Sequence, residues 1–489
     1  MRCLALARAL QQRGGRCLFV CRDLEGHLAP RIEQNGFPVM LFPRPSADRA
    51  DPDWELDAQQ TLAALAGKKP DWLVVDHYGL DARWESRLRP AASRIMVIDD
   101  LADREHACDL LLDQNVVAEA PSRYDPLLPA NSTRLLGSQY ALLHEDYGRE
   151  HLRARIRTRP VQTILLSFGG SDQHNLTTRS LRAFLELRRP HLRLEVTANP
   201  KSPHFVEISK VAEQSPQIRL HPGPPSLAPL ILEADLGLGA AGGTAWERCC
   251  LGLPSLLVVT APNQVAAAKE LDRRNLAKLV GDRGTATVGR IRDALASALD
   301  SEDLEKMSSA CLRAVDGKGS ERVADALMMS HLAKIRMRAA TREDEEILLR
   351  WANDPVVRTN AFRPKAIDLA THHAWLQSRL GNPTRCRLFI AETEGGLPIG
   401  QVRFELQSEG WEIDYSLDGM ARGKGLGSRL LQEGLAAFGP SACGQGFFGR
   451  VKKGNEASCR VFRAMGFAQE TEDKGEILVF RQGFPRGKA

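Results

Sequence analysis

The densest chemistry in this 489-residue chain lies in Gly239–Gln264, GAAGGTAWERCCLGLPSLLVVTAPNQ. Gly242, Gly243 and Thr244 separate an apolar run, Ala234–Leu238, from a helical run, Ala245–Leu251. A glycine loop in that position can turn backbone N–H groups and a helix dipole toward a phosphate. Glu247, one turn into the helix, is spaced to reach a pair of ribose hydroxyls. Ser255–Thr260 reads as the next buried strand, and Asn263 and Gln264 follow it at the edge where open α/β sheets hold ligands. Packing alone would explain a strand, a turn and a helix; the added carboxylate and the Asn-Gln pair favour a nucleotide. A second glycine loop, Phe168–Asn175, follows the apolar run Val161–Ser167, where Gly170 and Ser171 offer an N–H and a hydroxyl to a phosphate. A third, Arg422-Gly423-Lys424-Gly425-Leu426-Gly427, runs directly into the helix former SRLLQEGLAAFG. Arg-x-x-Gly-x-Gly ahead of a helix suits a pyrophosphate.

Such loops need sheets behind them, and the chain is long enough for two or three cores. The βα alternation is regular from Arg16 onward, with strands expected at Arg16–Cys21, Pro38–Phe42, Asp71–Asp76, Arg94–Asp99 and Cys108–Leu112. Three of these end in polar clusters, Asp76-His77-Tyr78, Asp99-Asp100 and Gln114-Asn115, which would form one wall of a cleft. Gln139–Pro160 reads as a charge-rich connection to a second α/β half, with strands at Leu192–Thr197 and Ile218–His221 and helices at Leu227–Ala234, Ala286–Asp300 and Leu304–Lys334. The expected domains are residues 1–150, 155–332 and 335–489, the first two facing each other as in glycosyltransferase-B enzymes. Hydrophobic residues make up 43% and charged residues 26%, as in an ordinary globular protein, and a net charge of +5 without a Lys/Arg stripe argues against nucleic acid. No apolar stretch has the length of a membrane span. Ten scattered cysteines form no metal-binding spacing, so no metal is expected, and a reducing cytoplasm is the simplest compartment.

RCLALARAL at the start, DHYG at Asp76–Gly79, IDD at Ile98–Asp100, the run from Arg104 through His106 to Cys108-Asp109, QN at Gln114-Asn115, YALL at Tyr140–Leu143, SFGGSDxxNLT at Ser167–Thr177 and the Gly239–Gln264 block together resemble one family. It is the UDP-2,4-diacetamido-2,4,6-trideoxy-β-L-altropyranose hydrolases of pseudaminic acid synthesis, and the resemblance covers about Met1–Met329. It implies a UDP-linked amino sugar as substrate, Gly242-Gly243-Thr244 on the diphosphate, Glu247 on the ribose and Asn263 near the sugar. The family's G-x-G-H-x-x-R-C pattern supplies a histidine base, and this chain opens inside it at Arg2-Cys3. The helix at the first residues also lacks the strand that doubly wound domains place before it. The expectation is an in-frame extension of about 15–20 residues, one strand and a tight turn. His77 and His106 are expected to have structural or positioning roles.

From about Arg336 the pattern changes to α+β. Arg422–Gly427, Asn455-Glu456-Ala457-Ser458 and the run Phe462–Phe467 resemble the GNAT acyltransferases over about Arg336–Arg481, with Trp351–Asp354 and Gly400–Phe404 similar to the branch that acetylates a 4-amino sugar nucleotide. The resemblance implies acetyl-CoA as co-substrate, held by Arg422, Gly423, Lys424, Gly425, Gly427 and Asn455. Many members use a tyrosine at the position of Phe462 to protonate the leaving thiolate; Tyr415 and Glu412 are the candidates here. The expected function is bifunctional, N-acetylation followed by release of UDP. Two alternatives are a UDP-sugar glycosyltransferase fused to an acetyltransferase, and a nucleotide-sugar-binding module serving the acetyltransferase.

Overall fold

The computed structural model describes residues 1–44, 53–118, 122–170, 172–332, 334–439, 446–471 and 476–482. The chain divides into two compact units, Met1–Val323 and Ala324–Ala489.

The first unit opens with α1 (Arg2–Gln12). Its Leu4 and Ala7 pack with Ile32 of α2 (Ala29–Gln34) on Phe19 and Cys21 of β1 (Phe19–Arg22) and Val39 of β2 (Val39–Phe42). β1 and β2 form a parallel sheet of two. After α3 (Trp54–Leu65) comes a parallel sheet of four in chain order: β3 (Trp72–Val75), β4 (Arg94–Ile98), β5 (Leu110–Asp113) and β6 (Thr133–Leu136), with α4 (Ala82–Leu88) linking β3 to β4. Among the described residues no strand joins β1 to β3. β5 is buried throughout and β4 at all but its first residue, which is why both read as unbroken apolar runs and not as alternating ones.

The stretch Gln139–Pro160 is more than a connection. It holds α5 (Glu145–His151), whose Tyr147 lies in the core of the second half. It also holds Arg157, which is wholly buried. That guanidinium donates to Ile231 O (2.8 Å), Ala234 O (3.3 Å) and Leu251 O, carbonyls at the ends of two helices that have no acceptor role inside their own helix. Burial pushes its pKa down to about 10.

The second half runs β7 (Thr163–Ser167), α6 (Leu176–Leu187), β8 (Arg193–Ala198), α7 (Phe205–Ala212), β9 (Ile218–Pro222), α8 (Ala228–Glu233), β10 (Leu236–Ala240), α9 (Thr244–Cys250), β11 (Ser255–Val259), α10 (Val265–Arg273) and β12 (Lys278–Asp282), then α11 (Val288–Asp300), α12 (Leu304–Ala314) and α13 (Gly319–Leu327). All six strands are parallel, in the order β12-β11-β10-β7-β8-β9. The order reverses between β7 and β10, and ligands of doubly wound sheets bind at that reversal. The helix expected to run unbroken from Leu304 is interrupted between α12 and α13. Gly317 there has φ +77°, and a Cβ on it would stand 2.6 Å from the backbone of Gly148 in α5. A glycine pair was needed for the two backbones to touch.

The second unit is α+β. One sheet of seven has the order β13 (Arg336–Ala339), β14 (Cys386–Glu392), β15 (Pro398–Gln407), β16 (Gly410–Leu417), β17 (Phe447–Lys452), β19 (Ile477–Gln482), β18 (Ala468–Thr471). Its helices are α14 (Glu345–Ala352), α15 (Pro355–Asn360), α16 (Leu369–Leu380), α17 (Leu426–Phe438) and α18 (Glu456–Ala464). All its neighbours are antiparallel except β16 and β17, which pair in parallel at Trp411–Phe447 and Glu412–Phe448 only. A pair of doubly wound halves followed by an α+β domain is the fold class expected.

Candidate functional site

In the first unit the two glycine loops stand where the sheet order reverses. One follows β7 with Gly169 and Gly170, the other follows β10 with Gly242 and Gly243. Gly170 is exposed, and its carbonyl accepts from Asn199 Nδ2 at 2.9 Å. Ser171 lies outside the described residues. A Cβ on Gly243 would meet nothing within 4 Å, so the space above that turn is open. Thr244 Oγ1 accepts from the buried Arg248 Nη1 at 3.3 Å, which fixes the hydroxyl oxygen and leaves its O–H to donate. Glu247 is half-buried and hydrogen-bonded to Tyr147. Burial raises its pKa against the opposing effect of that bond. The sequence reading missed Tyr147, because it lies a hundred residues upstream in the presumed connection.

The facing wall comes from the ends of β3, β4 and β5. Tyr78 Oη lies 3.4 Å from Asp100 Oδ2 and accepts from Asn263 Nδ2 at 3.1 Å. Asn115 Nδ2 reaches Asp100 Oδ2 at 3.4 Å, and its Oδ1 accepts from Trp246 Nε1 at 3.2 Å. These two contacts join the halves across the cleft, and each pairs a polar cluster of the first half with the Gly239–Gln264 block. At the cleft edge Arg2 grips Asp76 with Nε (3.0 Å) and Nη2 (2.6 Å). Burial alone would raise the Asp76 carboxyl, but Arg2 holds it below its ordinary value. The remaining acids point inward. Asp99 pairs with Arg104 Nη1 at 2.9 Å and accepts from Tyr124 Oη at 3.1 Å. Asp113 pairs with Arg123, and burial raises its pKa to about 6. Of the two histidines, His106 is buried with Nδ1 2.7 Å from Glu85 Oε1. His77 accepts from Gly79 N at 3.0 Å, and burial lowers its pKa.

In the second unit the third glycine loop leads into α17 beside the splay between β16 and β17. Gly423 and Gly425 have φ of +70° and +73°, and a Cβ on either would meet nothing within 4 Å. The left-handed backbone favours glycine there, and the space beside it is open. Gly427 also has a packing role: a Cβ would stand 2.8 Å from Val461 Cγ2, so this glycine lets α17 and α18 pack. Arg422 already has partners within the chain. Its Nη2 pairs with Asp354 Oδ2 at 2.7 Å and its Nε donates to Leu417 O at 3.0 Å, so its charge is already met. Lys424 has no side-chain partner among the described residues. Asn455 caps α18, accepting from Ser458 N at 3.2 Å.

Tyr415 and Glu412 are three positions apart on one strand and therefore face opposite sides of the sheet. Tyr415 turns toward α18, its ring edge-on to Phe462 at 5.9 Å, and burial pushes its phenol up to about 12. Phe462 is buried and stacks on Phe480 at 5.2 Å. Glu412 lies on the face that carries Arg403, Glu405 and Asp414, and burial raises its pKa. Among the described residues no cluster of His, Cys, Asp or Glu is placed to hold a metal, and no helix is long and apolar enough to cross a membrane.

The family described as Acetyltransferase (GNAT) domain matches residues 334–468, a range that includes the β16–β17 splay and the glycine loop before α17. Over those residues the chain is similar to that family. Over the N-terminal half the chain is similar to UDP-2,4-diacetamido-2,4,6-trideoxy-β-L-altropyranose hydrolases. The hydrolase of that name from Campylobacter jejuni is 25% identical over 52% of this chain and 85% of its own length. An uncharacterised protein of Methanocaldococcus jannaschii is 21% identical over 98% of this chain and 95% of that one, so its length accommodates both units. Among solved structures, MurG of Acinetobacter baumannii aligns with 67% of this chain and 95% of its own at a TM-score of 0.49 and 16% identity.

Proposed function

We propose that the chain carries out two consecutive steps on one UDP-linked amino sugar. The C-terminal unit transfers acetyl from acetyl-CoA to a 4-amino group, and the N-terminal unit hydrolyses the resulting UDP-diacetamido-trideoxy sugar and releases UDP. The observation that carries this is the placement of the Gly170 and Gly243 loops on either side of the sheet reversal, opposite the Tyr78–Asn263 contact. A diphosphate at the loops would put the attached sugar at that contact. Backbone N–H groups would stabilise the departing diphosphate, Glu247 would hold the ribose and Asn263 would orient the sugar.

In the second unit acetyl-CoA would supply the activated acetyl group. The N–H groups of Gly423–Gly427 and the charge of Lys424 would hold its pyrophosphate, and the unpaired backbone of the β16–β17 splay would hold its arm. Tyr415, protonated at neutral pH and half-buried beside Phe462, would give its proton to the thiolate. Glu412, on the other face, would accept a proton from the amine side. Incubating the purified chain with acetyl-CoA and UDP-4-amino-4,6-dideoxy-N-acetyl-altrosamine tests the order of events. Free thiol should appear first and free UDP second, the second depending on the first. UDP release without acetyl-CoA at the same rate would sink the sequence of steps. UDP appearing only when a sugar acceptor is added would favour a glycosyltransferase.

A further inference from the structure

The residues Trp351–Asp354 at the end of α14 make a set of contacts that holding acetyl-CoA does not by itself explain. Trp351 Nε1 donates to Asp418 Oδ2 at 2.7 Å, and Asp418 in turn accepts from Met420 N at 2.9 Å, just ahead of the glycine loop. Asn353 closes a loop on itself: its Nδ2 donates to Ile367 O, and Ile367 N donates to its Oδ1, both at 2.8 Å. Asp354 caps α15 by accepting from Val356 N (2.9 Å) and Val357 N (3.3 Å) with Oδ1. Its Oδ2 meets Arg422 Nη2 at 2.7 Å. Burial alone would raise the Asp354 carboxyl, yet Arg422 and the capped N–H groups hold it below its ordinary value. The closed segment, residues 354–367, is tied on another side by Lys452 of β17, which donates to Thr359 O at 3.1 Å. The segment thus has one anchor on each lip of the β16–β17 splay: Arg422, five residues past β16, and Lys452, the last residue of β17.

We propose that Asp354 is a positioning residue for acetyl-CoA: it acts through Arg422 to set the glycine loop, and Arg422 is a strut and not a phosphate contact. This rests on the acetyl-CoA reading of the second unit. Both side chains are about three-quarters buried, and a guanidinium held at 2.7 Å by a carboxylate has little net charge left for a phosphate. Its Nε donates to Leu417 O, at the end of the strand that precedes the loop. The ion pair therefore fixes where Gly423 and Gly425 stand relative to β16. Because the same carboxylate starts α15, the closed segment and the glycine loop share one anchor. Loading of the glycine loop then constrains segment 354–367, and the reverse follows by linkage.

The test is calorimetric titration of the full chain with acetyl-CoA, on Asp354→Asn, Arg422→Ala and the double variant. Asparagine keeps the cap of α15 through Oδ1 and puts an amide donor in place of the Oδ2 that meets Arg422, so it removes the ion pair and spares the cap. Each single change should weaken binding roughly tenfold, and the double should be no worse than either, as for two residues acting through one contact. Arg422→Lys, which keeps a cation for Asp354, should restore part of the affinity lost in Arg422→Ala, but nothing when Asp354 is already asparagine. Two results would overturn the proposal. One is unchanged or tighter binding by Asp354→Asn beside a large loss in Arg422→Ala, because freeing a phosphate-binding arginine should help it. The other is equal rescue by lysine in both backgrounds. If the unaltered chain does not bind acetyl-CoA, the acetyltransferase reading fails and this inference with it.

Discussion

At the scale of single residues, each candidate site rests on a side chain whose environment sets its chemistry. Glu247 is held by Tyr147 in a half-buried position. Replacing it with alanine should weaken UDP binding by about 1–3 kcal/mol, the usual loss for a hydrogen bond to a charged group. Tyr147→Phe should cost a smaller part of that, since the carboxylate stays but turns freely. Titration calorimetry with UDP measures both, and equal affinities throughout would move the ribose elsewhere. Tyr415→Phe should slow acetyl transfer by roughly 10²–10⁴-fold, the range for losing a positioned acid, with acetyl-CoA affinity unchanged. A rate within a factor of about two of the parent would assign the proton transfer to another group. Asp113 gives a pH signature. Burial raises its folded pKa to about 6, above the ordinary 3.8. Its stabilisation is therefore complete below the unfolded pKa and lost as pH rises through about 6. Relative to Asp113→Asn, the parent should be more stable at pH 4 than at pH 8, as read from urea unfolding; a constant difference would mean that Asp113 does not titrate in that range.

At the scale of elements, glycines and one arginine decide more than apolar pattern does. Gly425 has a left-handed backbone and open space where its side chain would go. Gly425→Asn, which tolerates that backbone, should fold and lose acetyl-CoA binding because the new side chain fills the phosphate space. Gly427→Val should act differently, pushing α17 off Val461 of α18 and unfolding the second unit. Circular dichroism with acetyl-CoA titration separates these outcomes, and a folded Gly425→Asn that binds normally refutes the site. Arg157→Met should destabilise the first unit by more than about 3 kcal/mol, because the carbonyls of Ile231, Ala234 and Leu251 would lose a buried donor. A thermal midpoint within about 2 °C of the parent would contradict this.

At the scale of the whole molecule, the two candidate ligand sites lie in separate compact units. Glu247→Ala should leave acetyl-CoA affinity as it is, and Gly425→Asn should leave UDP affinity as it is. Cross-effects larger than about 1.4 kcal/mol, a factor of ten, would show that the two sites are energetically coupled.

The glycine loops, the polar clusters after the apolar strands and the change of pattern near Arg336 were legible in the sequence, because each depends on a few adjacent residues. Spacing along the chain also brought out Asn263 and the polar ends of β3, β4 and β5. What tertiary structure decided was pairing over long separations. The meeting of Tyr78 with Asn263, of Asn115 with Trp246 and of Tyr147 with Glu247 spans a hundred residues or more each time, and no local pattern encodes it. The same holds for Arg422: as a cation before Gly-x-Gly it reads as a phosphate ligand, and only the fold brings Asp354 within 2.7 Å to take up its charge. Gly425 and Gly427 look alike in sequence, yet one faces open space and the other faces Val461. Sequence names the residue types available for chemistry; the packing of distant segments determines which of them remain free to perform it.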